Sequence, residues 1–350
     1  MQLNKCPAIF ILTFPWFAFA QNGGRSAFEY INMPISAHIA GVGGINTSLY
    51  TTDINMITQN PALLHDTMNK QLSASYIPYF STIKASALSY AQRIATSGMW
   101  GGSLLYVDYG TIPERDEGGN DVGEFKPYEM VFTISKSHRI DAFTMGANIK
   151  YALSKLYPLY SAHALFFDAG GIFRHPERDL TVSLVVKNAG FAFKKYQKGT
   201  SIGIPFDVQS GLSYKFEHMP MRISITAHHL HRPDIVYLDT VRNRKVDLDG
   251  NVTVEKKKVI DLIGTHFVVG PEIIFSKNLQ FRFGYNYMRR YEMRLQQRSA
   301  VAGLSWGFMI AIKSLRIEFA RAYYHVAHGR NWFTLAYHLN SLVRKTNGQF

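Results

Sequence analysis

From about residue 70 to the end of the chain, apolar and polar side chains take turns. Leu279, Phe281, Phe283, Tyr285 and Tyr287 alternate with Gln280, Arg282, Gly284 and Asn286. Met221, Ile223, Ile225 and Ala227 alternate with Arg222, Ser224, Thr226 and His228. Leu180, Val182, Leu184 and Val186 interleave with Thr181, Ser183 and Lys187, and Phe333, Leu335, Tyr337 and Leu339 with Thr334, His338 and Asn340. Successive side chains of a strand point to opposite faces, so this period of two predicts strands with one apolar and one polar face. Fourteen such segments are expected, at 71–80, 82–92, 99–109, 126–136, 141–155, 160–173, 179–188, 206–216, 220–229, 265–276, 279–289, 297–307, 313–324 and 332–343. Most are near the ~9–11 residues of a tilted membrane strand, and an even count suits a single chain that closes on itself.

The connections separate a membrane barrel from a soluble sandwich, which also alternates. Links after the even-numbered segments are short, as at Arg174 to Arg178, Glu217 to Met219 and Lys277-Asn278. Links after the third, seventh, ninth and eleventh are longer: Gly110 to Phe125, Ala189 to Pro205, Leu230 to Gly264 and Arg290 to Gln296. Short periplasmic turns opposite long outer loops are the asymmetry of outer-membrane barrels. Only the links after the first, fifth and thirteenth segments break it. The expected fold is therefore all-β: a 14-stranded antiparallel transmembrane barrel over 70–344, with a tail at 345–350.

Before the barrel the chain reads differently. Lys5, the apolar run Ala8 to Ala20 and the small residues Ala18 and Ala20 make residues 1–20 an expected signal peptide. Residues 21–69 then carry Gly41, Gly43, Gly44, Asp53, Asn55, Asn60 and Pro61, a segment expected to lie inside the barrel as a plug. Within the loop after the ninth segment, Val246 to Val254 reads as a hairpin turning at Asp249-Gly250.

Composition agrees. The chain is 47% hydrophobic and 14% aromatic, yet its mean hydropathy is only -0.08, as alternation requires. Tyr76, Tyr79, Phe80, Tyr106, Tyr109, Tyr285, Tyr287, Tyr323, Tyr324 and Trp332 fall near strand ends, where rings sit at lipid headgroups. The single cysteine, Cys6, lies in the signal, so thiol chemistry and disulfides are not expected in the mature chain.

The net charge of +13 directs attention to anionic partners such as lipopolysaccharide. Basic clusters fall in the outer loops: Lys194, Lys195 and Lys198; Arg242, Arg244 and Lys245; Lys256, Lys257 and Lys258; and Arg289, Arg290 and Arg294. The first three are the candidate partner contacts. The loop at 110–125 is acidic, so a uniformly basic face is excluded and nucleic acid is not an expected partner.

Reactive motifs are weak. Gly303-Leu-Ser-Trp-Gly307 matches a nucleophile elbow, with Glu318, His325 and His328 behind it, but no helix follows Ser305. His228-His229-Leu-His231 with Asp234 falls short of the three or four convergent ligands a metal needs. Asp247-x-Asp249-Gly-Asn251 lacks a correctly spaced closing glutamate for calcium. No enzyme activity, cofactor or metal is expected.

Ala27-Phe-Glu-Tyr-Ile-Asn-Met-Pro-Ile-Ser36, Gly41-Val-Gly-Gly44, Asp53-Ile-Asn55 and Gln59-Asn-Pro-Ala-Leu63 resemble the N-terminal region of the PorQ family. Pro205 to Gln209, His218 to Arg222 and His228 to Arg232 are similar to its mid-barrel segments. The family belongs to the type IX secretion system and is related to PorV and FadL-like barrels. The resemblance implies a non-enzymatic barrel that anchors a surface attachment complex with PorZ-, PorU- and PorV-like partners, which joins cargo to anionic lipopolysaccharide. The alternative it leaves open is a FadL-like channel for hydrophobic small molecules.

Overall fold

The computed structural model describes residues 26–197, 203–236, 244–246, 252–254, 258–293, 301–324 and 329–339. The expected signal peptide and C-terminal tail lie outside them.

The strands are, in chain order, β1 (Gln71–Phe80), β2 (Ile83–Ile94), β3 (Gly98–Asp108), β4 (Ile112–Arg115), β5 (Asp121–Phe125), β6 (Tyr128–Ile140), β7 (Phe143–Tyr157), β8 (Tyr160–Arg174) and β9 (Leu180–Lys194). They continue as β10 (Asp207–Lys215), β11 (Met221–Ala227), β12 (Arg244–Val246), β13 (Val252–Val254), β14 (Phe267–Ile274), β15 (Leu279–Asn286), β16 (Leu304–Ile312), β17 (Leu315–Tyr323) and β18 (Gly329–His338). Two short hairpins, β4–β5 and β12–β13, stand apart. The other fourteen form one closed barrel in which chain neighbours pair antiparallel, and β1 pairs β18 from Gln71↔His338 to Tyr76↔Phe333. Full closure leaves none of these fourteen strands with an open edge.

The two faces lie the opposite way round from those of a water-soluble protein. On β9, Leu184 is 57% exposed while Thr181, Ser183 and Lys187 are buried; on β18, Leu335 is 52% exposed beside buried Thr334. Ile225 faces out between buried Ser224 and Thr226, and Phe283 faces out beside buried Arg282. Apolar side chains outside and polar ones within suit a hydrocarbon solvent, and a closed antiparallel barrel satisfies every strand's backbone there. The chain is a membrane barrel of the outer-membrane type. No described helix is long and apolar enough to cross a membrane.

Connections at one end are all short: 95–97, 141–142, 175–179, 216–220, 275–278 and 313–314. The long ones, 109–127, 195–206, 228–266 and 287–303, all lie at the other, with 81–82, 158–159 and 324–328 as its short members. These are the periplasmic and outer ends respectively.

Several local expectations are corrected. The eleventh strand stops at Asn286 because that side chain turns into a cap: its Oδ1 accepts the Arg289 N–H at 3.0 Å, and α1 (Tyr287–Met293) begins. The twelfth, expected at 297–307, begins at Leu304, after Gly303 turns the chain with φ +85°. Trp332, Tyr324, Tyr79 and Tyr109 do not belong to a headgroup girdle but pack against the interior. Trp332 is fully buried, and its indole N–H donates to the Pro34 carbonyl at 2.9 Å inside the barrel. Val246 and Val252 pair as the 246–254 hairpin requires, while the acidic loop holds a second hairpin, β4–β5, that was not anticipated.

Leu335→Arg tests the membrane-facing side. Placing a guanidinium near the bilayer midplane costs about 2–4 kcal/mol, whereas an exposed site in water costs within ~0.5 kcal/mol. Urea unfolding in lipid vesicles is expected to show the larger loss.

Candidate functional site

Residues 27–69 occupy the interior of the barrel. Short elements carry them: a 3-10 turn at Glu29–Asn32, the helical turn Ala37–Gly41 capped by Ser36, and 3-10 turns at Ile54–Thr58, Pro61–Leu63 and Asp66–Met68. A segment this broken cannot satisfy its own backbone, so the wall's polar face does so. The Thr334 hydroxyl accepts from Ala37 N at 2.9 Å, and Ser305 donates to Gly41 O at 3.0 Å. Asn46 donates to Ser224, Thr47 bonds Ser183, Asn55 donates to Ser73, and Asn148 donates to Ile57 O.

Asp53, Asn60 and Pro61, the residues expected to mark the plug, all touch the structure that holds it. Asp53 caps the 54–58 turn through Asn55 N, and Asn60 caps the next through Ala62 N. Asn60 and Pro61 lie against two wall glycines. A Cβ on Gly146 would come 2.4 Å from the Pro61 carbonyl carbon, and one on Gly170 would come 2.0 Å from Asn60 Oδ1. Only glycine admits this close approach.

Six buried or nearly buried side chains of alternating charge close a ring between the segment and the wall. His38 lies 3.5 Å from Asp53, Asp53 3.4 Å from Arg316, and Arg316 2.7 Å from Glu318. Glu318 lies 2.9 Å from Arg282, Arg282 3.2 Å from Glu272, and Glu272 2.9 Å from His38. Arg222 adds a longer contact to Glu272 at 3.5 Å. His38, Asp53 and Glu318 also bring potential metal-ligand atoms within 4.8 Å of one another. Arg282 and Arg316 already neutralise those carboxylates, so the group is an ion-pair ring.

Burial, the largest influence on His38, and neighbouring Arg282 disfavour its imidazolium, but Glu272 and Asp53 outweigh them and raise its pKa above 6.5. Burial alone would raise Asp53, but contacts with His38 and Arg316 hold it below its ordinary 3.8.

Two cavities open beside this segment at the periplasmic end. One of about 330 Å³ is lined by His38, Arg222, Arg282 and Arg316 with Lys277 and Lys313. The other, about 540 Å³, is lined by His65, Arg93, Arg139 and Arg174. Tyr50 borders both, stacked on His65 at 4.0 Å and lying under Arg174 at 4.4 Å. The outer half of the interior is mainly apolar over β1–β8 and β17–β18, with buried Glu129 held there by the Tyr109 and Ser154 hydroxyls. Ile77, Ala85, Leu105, Val107, Val131, Phe166 and Trp332 pack there against Phe28, Tyr30, Ile31, Ile35 and Ile39.

The expected partner residues are scattered over the outer end. Lys194 ends β9 and donates to Ser161, Lys195 is exposed beyond it, Arg244 and Lys245 belong to β12, and exposed Lys258 precedes the helical turn Val259–Gly264. Lys198, Arg242, Lys256 and Lys257 lie outside the described residues, as do Arg294, His325, His328 and the 247–251 calcium-like run. Arg289 is no free loop cation: it donates to Gly43 O at 3.1 Å and stacks on Tyr324 at 4.1 Å. Ser305 lies within strand β16, without the strand-to-helix turn a nucleophile elbow needs. Asp234 accepts from Val236 N, and the carboxylate beside His228 and His229 is Asp207 instead.

No protein-family model matches the chain, and no curated relative does, so the PorQ resemblance receives no support from sequence comparison. Among solved structures, the toluene transporter TodX of P. putida is similar at 11% identity and TM-score 0.48, over 85% of this chain and 97% of its own. The toluene transporter TbuX of Ralstonia pickettii gives 11% and 0.45, over 87% and 97%. A FadL homologue of Pseudomonas aeruginosa gives 12% and 0.42, over 87% and 98%.

Two outcomes are expected from the ring. Arg282→Met removes the cation shared by Glu272 and Glu318, leaving Glu318 with Arg316 alone and Glu272 with His38 and Arg222, and lowers stability by about 3–5 kcal/mol, which Glu318→Gln in the same chain partly restores. The raised His38 pKa contributes stability that is full below 6.5 and lost as pH rises through the folded value; depressed Asp53 contributes stability present above 3.8 and lost in acid. Urea midpoints should therefore fall on the alkaline side of 6.5, and His38→Gln should flatten that slope.

Proposed function

We propose that this outer-membrane barrel is a gated channel for small apolar molecules, with residues 27–69 as the gate. The observation that carries this reading is the apolar lining of the outer half of the interior, occupied by apolar side chains of the inner segment itself. A porin's interior is polar throughout. Here, withdrawal of Phe28, Tyr30, Ile31 and Ile35 would leave an apolar passage that leads to the periplasmic cavities. Those cavities are of the size that holds small ligands, about 300–1,000 Å³. The similar solved structures are named as transporters of toluene and monoaromatic hydrocarbons. At their fold likeness the names suggest a first substrate to try and nothing more.

A disulfide lock tests the gate. A Cβ on Gly41 would lie 3.7 Å from that of Ala320, within the ~3.5–4.5 Å a disulfide spans. The sole natural cysteine, Cys6, lies in the expected signal. Cells carrying G41C/A320C are expected to take up labelled toluene when reduced and to lose that uptake when oxidised. Uptake unchanged by oxidation would end the gating reading.

A second reading is favoured by one feature of the outer loops. Leu230, Val259, Ile260 and Ile263 expose apolar side chains there, beside Lys258. Such a patch suits the anchoring of a surface protein, the PorZ-like partner of a type IX attachment complex. Transport absent in both redox states, with a surface protein recovered on the detergent-solubilised barrel and lost in V259S/I260S, would put anchoring first.

A further inference from the structure

We propose that Asp207, His228 and His229, with His231 as a fourth ligand, form a binding site for one divalent transition-metal ion at the outer mouth of the barrel. The site does not depend on the channel reading.

Topology assembles it. Asp207 opens β10 and the histidines follow the end of β11; these strands are neighbours, paired from Ser210↔Ala227 to Lys215↔Arg222. The carboxylate therefore comes level with the histidine run, although about twenty residues separate them in the chain. One ligand atom each from Asp207, His228 and His229 lies within 4.8 Å of the other two. His228 Nδ1 and His229 Nδ1 are 2.6 Å apart, and His229 Nδ1 is 3.8 Å from Asp207 Oδ2. His231 Nδ1 stands 3.7 Å from Asp207 Oδ1. Ligands on a tetrahedral ion with bonds near 2.0–2.1 Å are separated by roughly 3.3 Å, so small rotations complete the first three ligands, and His231, whose ring centre lies 6.0 Å from that of His229, joins by a larger one.

The surroundings hold the ligands in place. Asp207 Oδ1 accepts from His229 N, and Oδ2 accepts from Gln209 Nε2, both at 2.7 Å. His228 is strapped to His266 by its backbone, its N–H donating to His266 O at 2.9 Å, and its carbonyl lies 2.7 Å from the His266 ring. His229 sits at φ +56°, a left-handed conformation uncommon for a side chain of this kind, and turns back toward the carboxylate.

His228 and His229 share one hydrogen bond through their Nδ1 atoms, but His228 Nε2 and both ring nitrogens of His231 have no hydrogen-bond partner among the described residues, although all three atoms are buried. Three imidazoles and one carboxylate favour Zn²⁺, Ni²⁺ or Cu²⁺ over Mg²⁺ or Ca²⁺, which prefer oxygen. His228 is fully buried but His229 is partly exposed, which leaves a path for the ion from outside.

The test uses the full-length barrel in detergent micelles, carrying no histidine tag and stripped with chelator, with Zn²⁺ alone as the probe. Titration calorimetry is expected to show one equivalent, retained in excess Mg²⁺ and Ca²⁺. Outer partners of a ligand are worth about 10–100-fold in affinity. Gln209→Ala should therefore weaken binding by that factor, and Asp207→Asn and His229→Ala by more than about 100-fold. Heat-modifiable gel mobility reports whether each variant is folded; a misfolded one hands the decision to Gln209→Ala. Absence of stoichiometric Zn²⁺ uptake, or uptake unchanged in the folded variants, overturns the proposal.

Discussion

Charge inside a membrane barrel is tolerable only where it is paired, and the ring of His38, Asp53, Arg316, Glu318, Arg282 and Glu272 is the arrangement on which the rest of the interior depends. Each member has two opposite neighbours, so the desolvation of any one is offset only while the circle is complete. Two members come from the inner segment and four from β14, β15 and β17. Segment and wall are therefore coupled by electrostatics as well as by the hydrogen bonds and apolar packing between them. A second buried pair, Lys150 with Asp168 at 2.7 Å, works in the same way: Lys150 reaches Asn188, which in turn holds Asn32 and the Pro205 carbonyl.

This electrostatic fastening divides the interior chemically. Toward the periplasm the lumen is polar, with cavities bordered by arginines; toward the outside one flank is apolar and the facing flank, around β9 to β11, carries lysine, aspartate and histidine. A solute crossing the barrel would meet these environments in turn. The outer loops that follow β9 and β11 rise from the polar flank, so Asp207 and the histidines stand at their shared base.

Much of the architecture was legible because a strand's period is short and unforgiving. Once Arg282, Ser224, Thr181 and Thr334 share a phase with other polar residues, a one-residue slip would put all of them in lipid. Loop lengths then oriented the barrel. What the chain did not display is which inward residues meet. Glu318 reads as a plausible catalytic acid behind Ser305 until the fold sets Arg282 and Arg316 beside it. Trp332 reads as a headgroup ring because its place near a strand end is visible and the face it occupies there is not. Asp207 is remote from the histidines in sequence, and only the β10–β11 pairing joins them. Asn286 could have been recognised as a helix cap, since it precedes a run with helical residues, but the alternating Phe281, Phe283 and Tyr285 masked the change of period.

The glycines at 146 and 170 bear on the closure of the barrel. They leave hollows in the wall that Asn60 and Pro61 fill, and the same segment bonds to Ser73 on the first strand and Thr334 on the last. Those two strands form the seam that shuts the cylinder. A segment tied to both sides of the seam favours its closure, and the closed seam in turn fixes the segment, so that barrel and contents shape one another as a mould and its casting do.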